Sequence, residues 1–342
     1  MERIYLKDKQ GIESVREFLS HHDLILDEHI DELYVIKEND KIIGSGAIHG
    51  CVLKCIAVDS NYQGTSIINR LMGYLINRAY ELGQINLFIY TKPSSRESFE
   101  YFGFKKIAET ENVVLLENKI NGMNDYQAIL KRKHKTGRIG SVVVNCNPFT
   151  NGHLHLIETA SKACDHVHVF VVWEDESTFP NHIRYELIQK GIKHLKNIIL
   201  HQGEDYIISQ ATFPSYFLRN DLDIVIEQTT LDINLFAMKI VPCLDIEARF
   251  IGKEPFNETT RTYNEVMKQE LPKYGVEVVE IERMENLEEA ISASRVRRLI
   301  SIGDYDSLKV LVPKSTYDFL LSEVAKPIIK KIQMNFNIRN LV

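Results

Sequence analysis

At residues 147–153 the chain reads Asn147-Pro148-Phe149-Thr150-Asn151-Gly152-His153. A β-branched run precedes this stretch and an amphipathic segment follows it, so the pattern predicts a strand, a tight turn and a helix. Such a turn places backbone N–H groups and the positive end of a helix at the edge of a parallel sheet, where α/β folds bind phosphates. Thr150 and His153 share one face of the first helical turn, so both can reach one phosphate chain. Gly152 leaves room for a nucleotide to approach the backbone.

A second motif lies at residues 291–297, which read Ile291-Ser292-Ala293-Ser294-Arg295-Val296-Arg297. Ser294 is predicted to be the N-cap of a helix, and Arg297 then lies on the same side of the helix start. Two serine hydroxyls, a guanidinium and the first N–H groups of a helix suit the β- and γ-phosphates of ATP. The two motifs together therefore predict an ATP site.

These two motifs resemble those of the nucleotidylyltransferase superfamily, which are a (His/Thr)-x-Gly-His turn and an Ile-Ser-x-(Ser/Thr)-x-x-Arg helix start. The resemblance implies that His153 and Thr150 are catalytic, with His153 stabilising charge on the α-phosphate as pyrophosphate leaves. It also implies that the serines and the last arginine of the second motif hold the leaving phosphates. The residues assigned to nucleotide binding are Asn147, Phe149, Gly152, Ser292, Ser294 and Arg297. No residue is assigned as a metal ligand.

Length and composition indicate a globular protein of two domains. The chain has 342 residues, of which 44% are hydrophobic and 26% are charged, and this is enough for two sizeable cores. A net charge of -6 argues against a nucleic-acid partner. The five cysteines are scattered and are interpreted as core residues with reduced thiols. The chain starts without a signal-peptide pattern and has no run of membrane-spanning length, so we predict a cytoplasmic protein without membrane contact.

The first part of the chain resembles the GCN5-related N-acetyltransferase fold. The resemblance rests on Ile56-Ala57-Val58-Asp59, on Tyr62-Gln63-Gly64 before a helix predicted over residues 65–82, and on Tyr101-Phe102-Gly103-Phe104. In that family a glycine-rich backbone before the long helix holds the pyrophosphate of acetyl-CoA. Here Ser66 and Ile68 stand where that loop has small residues, and their Cβ atoms crowd the site. We therefore predict the fold without acetyltransferase activity.

A basic, glycine-ended stretch at residues 131–137 marks the predicted domain boundary. The predicted domains are an α+β acetyltransferase-like domain at 1–132 and a Rossmann-like α/β nucleotidylyltransferase domain at 138–342. Alternating strand and helix patterns in the second domain indicate a parallel sheet. One of its candidate strands lies at 223–227.

Several further phrases resemble the citrate lyase ligase family. They are residues 212–217, Thr-Phe-Pro-Ser-Tyr-Phe, residues 249–256, Arg-Phe-Ile-Gly-Lys-Glu-Pro-Phe, and Tyr263-Asn264. The resemblance implies that acetate is activated with ATP and that the acetyl group is transferred to a thiol on the acyl carrier subunit of citrate lyase. That thiol belongs to a prosthetic group derived from dephospho-CoA, and AMP and pyrophosphate are released. Mg²⁺ on the phosphates is the expected helper.

Other interpretations of the sequence stay open. One is an adenylyltransferase with a phosphate acceptor, such as phosphopantetheine or nicotinamide mononucleotide. It needs a further basic residue near the turn, for which Arg184 is the obvious candidate; Arg184 can contact phosphate or carboxylate, or form a surface ion pair. A second is a non-catalytic nucleotide sensor. A related hypothesis is that the first domain binds the CoA-like arm of the carrier subunit.

Overall fold

The computed structural model describes residues 1–62, 64, 66–173, 177–207, 221–254, 257–286 and 289–339. These residues form two compact units. The first unit contains residues 1–128 and, from farther along the chain, the helix Asp221–Leu235; the second contains the other described residues. Among the helices of these ranges, none is long and apolar enough to span a bilayer. Residues 212–217 and 255–256, which contribute to the family resemblance, lie outside the described residues, as do Gln63 and Thr65.

The first unit is built around a seven-stranded sheet of order β1-β2-β3-β4-β5-β7-β6. Its elements are β1 (Glu2–Ile4), α1 (Lys9–Ser20), β2 (Glu32–Glu38), β3 (Lys41–His49), β4 (Val52–Val58), α2 (Ile67–Glu81), β5 (Phe88–Thr91), α3 (Arg96–Glu100), β6 (Lys105–Glu109), β7 (Val114–Glu117) and α4 (Gly122–Lys131). The one parallel pair among these strands is β4 with β5. Leu71, Leu75 and Ala79 of α2 are buried in the core of the sheet, as the apolar spacing of this helix predicts.

The second unit is built around a five-stranded sheet of order β10-β9-β8-β11-β12, in which every pair is parallel. The elements from residue 139 onward are β8 (Ile139–Val144), α5 (Asn151–Ala163), β9 (His166–Val171), α6 (Asn181–Gly191), β10 (Ile198–Gln202), α7 (Asp221–Leu235), α8 (Val241–Leu244), β11 (Ala248–Gly252), α9 (Glu258–Glu270), β12 (Glu277–Ile281), β13 (Glu285–Asn286), β14 (Glu289–Ala290), α10 (Ala293–Ile302), α11 (Tyr305–Leu311), α12 (Lys314–Leu320) and α13 (Lys326–Arg339). The predicted parallel sheet is confirmed. The carboxyl ends of its five strands lie at one edge, and the first motif begins there, just after β8.

The strand predicted at 223–227 is wrong, because these residues belong to helix α7. Neighbouring β-branched residues such as Ile224-Val225-Ile226 favour a strand. Here the segment is a helix, and its side chains contact the first unit. The Glu227 carboxylate accepts hydrogen bonds from the side chains of Thr110 and Asn112, which follow β6. Asn234 donates to the carbonyl of Glu109 at 2.8 Å. Helix α7 therefore groups with the first unit, whereas the sequence-based boundaries place it in the second domain.

Candidate active site

The turn after β8 ends in a reciprocal cap at the start of α5. Thr150 is the N-cap residue, and its hydroxyl accepts from the backbone N–H of His153 at 3.4 Å. In return the backbone N–H of Thr150 donates to Nδ1 of His153 at 3.1 Å. This capping box satisfies two N–H groups that a helix start otherwise leaves unpaired. It also holds the imidazole of His153 in one orientation.

The capping box determines which nitrogen of His153 carries the proton. Because Nδ1 accepts from the backbone of Thr150, and lies 2.9 Å from its hydroxyl oxygen, the proton of the neutral ring belongs on Nε2. Burial, and then the positive charge of Arg283, lower the pKa of His153 to about 4. At neutral pH the ring is therefore uncharged, and Nε2–H is its one donor.

The side chain of Phe149 packs in the interior of the second unit. It is fully buried, and its ring lies against that of His153, with centroids 6.3 Å apart. A Cβ atom at Gly191 would come within 2.5 Å of the Phe149 ring, so the α6 backbone packs directly on it. The buried hydroxyl of Thr316 donates to the Phe149 carbonyl at 2.9 Å. The side chain of Phe149 thus packs in the interior, and its sequence-based assignment to nucleotide binding stays a prediction.

The helix of the second motif is capped two residues earlier than predicted. Ser292 is the N-cap of α10, and its hydroxyl accepts from the N–H of Arg295 at 3.1 Å. The prediction of Ser294 as N-cap is wrong, since Ser294 lies in the first helical turn. It is exposed there, and its hydroxyl accepts from Nη2 of Arg297 at 3.2 Å. Both serines still lie at the helix start, which is where the predicted phosphate contacts require them.

Two contacts bring the motifs together. A Cβ atom built on Gly152 would lie 3.0 Å from the carbonyl oxygen of Ile291, so a larger residue would push the two segments apart. Arg297 donates through Nη1 to the carbonyl of Asn147. Asn147 also accepts, through Oδ1, from the N–H of Phe179 at 3.0 Å. Gly152 is therefore needed for the close approach of the first motif to Ile291. This need is separate from its predicted role of leaving room for a nucleotide.

Arg184, the predicted phosphate or carboxylate contact, lies in the interior. Its side chain is fully buried. Nε donates to the carbonyl of Phe179 at 3.0 Å, and Nη1 lies within 2.6–2.9 Å of the carbonyls of Val172 and Asn145 and of the Asn145 side-chain oxygen. These acceptors follow β8 and β9 or precede α6. Arg184 therefore joins the segments that leave the carboxyl edge of the sheet, and its observed partners are backbone and amide oxygens.

Sequence reasoning missed Arg283, which follows β12. Its Nε donates to the carbonyl of Lys253 at 2.7 Å, and Nη2 pairs with the carboxylate of Glu254. A lone arginine has no motif spacing to mark it. The available signal was its place just beyond a strand of a parallel sheet, where ligands bind in open α/β folds.

The parallel sheet, the turn of α5 and the start of α10 define a nucleotidylyltransferase-like second unit, and the first unit is an acetyltransferase-like domain. The family model of the acetyltransferase (GNAT) domain matches residues 7–114. That of the citrate lyase ligase C-terminal domain matches residues 139–320. The chain therefore belongs to the citrate lyase ligase family, and it is a ligase.

Curated relatives agree with this assignment. The citrate (pro-3S)-lyase ligase of Klebsiella pneumoniae is 40% identical over 92% of this chain and 94% of its own length. The enzyme of the same name from Escherichia coli strain K12 is 37% identical over 93% of this chain and 92% of its own length. The phosphopantetheine adenylyltransferase of Finegoldia magna matches a shorter part of the chain. It is 40% identical over 19% of this chain and 41% of its own length.

Proposed function

We propose that this protein activates acetate with ATP and transfers the acetyl group to the acyl carrier subunit of citrate lyase. Acetyl-adenylate is the intermediate, and pyrophosphate and AMP are released. The acceptor is the thiol of the prosthetic group derived from dephospho-CoA. The observation that carries the proposal is the convergence of the two motifs, with the neutral His153 ring held at the start of α5. The names of the two long relatives support the choice of citrate lyase as partner.

The chemistry of the site suits attack of a carboxylate on a triphosphate. ATP carries about four negative charges that repel an acetate anion, so catalysis must disperse that charge and align the reacting atoms. In the proposed reaction Nε2–H of His153 donates to an oxygen of the α-phosphate, where charge grows in the transition state. Ser292, Ser294 and Arg297 hold the leaving phosphates. In this role His153 only donates a hydrogen bond, so the proposed reaction needs no covalent intermediate on the protein.

Mg²⁺ is proposed to bind together with the nucleotide. Across the described ranges of the chain, no three His, Cys, Asp or Glu side chains are placed to hold a metal ion. Mg²⁺ is commonly bound by substrate phosphates and water with few protein ligands. We therefore assign it to the triphosphate, whose charge it neutralises.

The test of this proposal is acetate-dependent exchange of labelled pyrophosphate into ATP, measured with Mg²⁺ and without the carrier subunit. Exchange that requires acetate supports acyl-adenylate formation. No exchange with acetate, together with adenylylation of phosphopantetheine, would favour the phosphate-acceptor alternative, for which the match to the Finegoldia magna enzyme is the supporting observation.

The first unit contains a cleft that we propose as the binding site for the prosthetic-group arm of the carrier. The cleft has a volume of about 630 Å³. The register pairs β4 with β5 at Val52–Phe88 and Leu53–Ile89, and the cleft lies toward the carboxyl ends of these strands. Its lining combines apolar and hydroxyl side chains, among them Ile56, Val58, Tyr62, Thr91, Ser98 and Phe102. Such a lining suits an extended chain that carries both methylene and amide groups.

Filling this cleft is expected to impair carrier acetylation but not acetate activation. Asn69 is exposed on α2 and lines the cleft, so Asn69→Trp places an indole in it without disturbing the core. We expect the KM for the carrier subunit to rise at least tenfold, with pyrophosphate exchange unchanged. The full chain is used because α7 groups with the first unit, so cutting the chain near residue 138 separates α7 from its contacts.

The matched control is Arg70→Trp. Arg70 follows Asn69 on α2 and is also exposed, but consecutive helical residues point about 100° apart, so its side chain points away from the direction of Asn69. An unchanged carrier KM in Asn69→Trp, or an equal rise in both variants, would contradict a role for the cleft.

A further inference from the structure

Arg283 lies at the same sheet edge as the two motifs. Strand β11 pairs with β8 on one side and with β12 on the other, and all three are parallel. The residues that follow these strands therefore emerge together. They are the turn with His153 after β8, Lys253 and Glu254 after β11, and Arg283 after β12. The segment before α10 reaches the same turn, because Ile291 lies against Gly152.

The guanidinium of Arg283 is held in a fixed orientation. Nε donates to the carbonyl of Lys253 at 2.7 Å, and Nη2 pairs with Glu254. The Glu254 side chain is 8% exposed and that of Arg283 is 25% exposed. Glu254 also accepts from the N–H of Asn257 at 3.1 Å, at the start of α9. One side of the guanidinium is therefore anchored in the protein, while part of the side chain reaches solvent.

The charge of Arg283 acts on the site of His153. Its positive charge is, after burial, the second cause of the lowered pKa of that imidazole. A positive charge that disfavours protonation of the ring attracts an anion bound beside the ring. A planar guanidinium with fixed donors matches the two oxygens of a carboxylate.

We infer that Arg283 binds the carboxylate of the acid substrate and holds it beside the α-phosphate position defined by His153. This inference rests on the proposed function. One carboxylate oxygen forms a bond to the α-phosphorus, while the bond from that phosphorus to the bridging oxygen of the β-phosphate breaks. The electron pair leaves with pyrophosphate. Arg283 keeps its proton and supplies charge and orientation.

The neighbouring carboxylate favours the acid over the nucleotide as the ligand of Arg283. Glu254 places a negative charge beside the guanidinium of Arg283. A polyanionic triphosphate next to Glu254 is repelled more strongly than a small monoanion is. The phosphates have their own donors in the first N–H groups of α5 and α10 and in Arg297.

The test uses acetate and ATP kinetics in pyrophosphate exchange with the full chain. Arg283→Gln is expected to raise the KM for acetate at least tenfold and to change the KM for ATP less than twofold. Arg283→Lys keeps the charge but loses the planar fork, so we expect an intermediate acetate KM. Arg261→Gln is the matched control, because Arg261 is exposed on α9 with its carboxylate partner 4.0 Å away.

A second readout does not depend on turnover. In the wild type, added acetate is expected to shift the NMR signal of the His153 ring, and this shift is expected to be lost in Arg283→Gln. The same variant is expected to raise the pKa of His153, because it removes the positive charge that, after burial, lowers that pKa.

The possible failures are distinguishable. Absence of acetate-dependent exchange in the wild type contradicts the proposed function. Normal exchange in the wild type, with an unchanged acetate KM or a raised ATP KM in Arg283→Gln, overturns the inference alone. An acetate-induced shift of the His153 signal that persists in Arg283→Gln overturns it as well.

Discussion

Replacement of His153 by alanine is expected to slow acetate-dependent pyrophosphate exchange by about 100- to 1,000-fold, the usual loss when one donor to a developing oxyanion is removed. The expectation follows from the position of the ring. Its Nδ1 is occupied by the backbone N–H of Thr150, so Nε2–H is left as a donor to the phosphate. The pKa of about 4 keeps the His153 ring neutral over the working pH range. The ring therefore needs no change of charge during pyrophosphate exchange.

His153 also takes part in the helix cap, so the loss of activity must be separated from a loss of stability. His153→Ala removes the acceptor for the N–H of Thr150 and is expected to cost about 1 kcal/mol of stability. His153→Gln restores such an acceptor, because glutamine is a regular member of capping boxes, but it lacks the ring donor. We expect both variants to lose exchange and only the alanine variant to lose stability.

His155→Ala serves as the matched control, since His155 lies two residues along the same helix and outside the cap. Thermal unfolding and pyrophosphate exchange are measured on all three variants. Exchange near the wild-type rate in either His153 variant would remove this residue from the mechanism.

The sequence was sufficient for features that depend on neighbouring residues. The β-branched run before the turn, the N-cap Thr150 and the apolar spacing of α5 and α2 all act within a few residues. Together with the alternation of strand and helix patterns they were enough to predict the parallel sheet, whereas the fold of the first unit was predicted from its resemblance to a known family. Helix α7 shows the limit of this approach. Residues 223–227 fit a strand locally, and contacts of Glu227 with Thr110 and Asn112, more than 100 residues away, accompany the helix instead.

Roles of single side chains were harder to predict, because they depend on which surfaces meet. Phe149 belongs to a motif that marks a ligand site, yet its ring is buried under α6. Ser292 and Ser294 were equally good cap residues on spacing alone, and the close approach of Ile291 to Gly152 accompanies a helix that starts at Ala293. Arg283 has no motif of its own, and its relation to His153 exists only once β8, β11 and β12 are side by side.

Arg184→Gln is expected to be the most destabilising single change considered for this protein. The substitution removes a fully buried guanidinium that donates to the carbonyls of Phe179, Asn145 and Val172. A buried carbonyl that loses its donor costs about 1–3 kcal/mol, and a shorter glutamine cannot serve three of them. We expect the free energy of unfolding to fall by about 3 kcal/mol, measured by denaturant titration.

The same variant decides between the two roles considered for Arg184. Lys190→Gln is the control, because Lys190 lies on the same helix and is exposed with a carboxylate partner at 2.5 Å; we expect its stability to change by less than about 0.5 kcal/mol. If Arg184 only joins the segments at the sheet edge, the folded fraction of Arg184→Gln at low temperature keeps its KM values for ATP and acetate within about twofold. Unchanged stability together with a raised KM for either substrate would instead mean that the guanidinium reaches a ligand, and that the turn must rearrange on binding to release it.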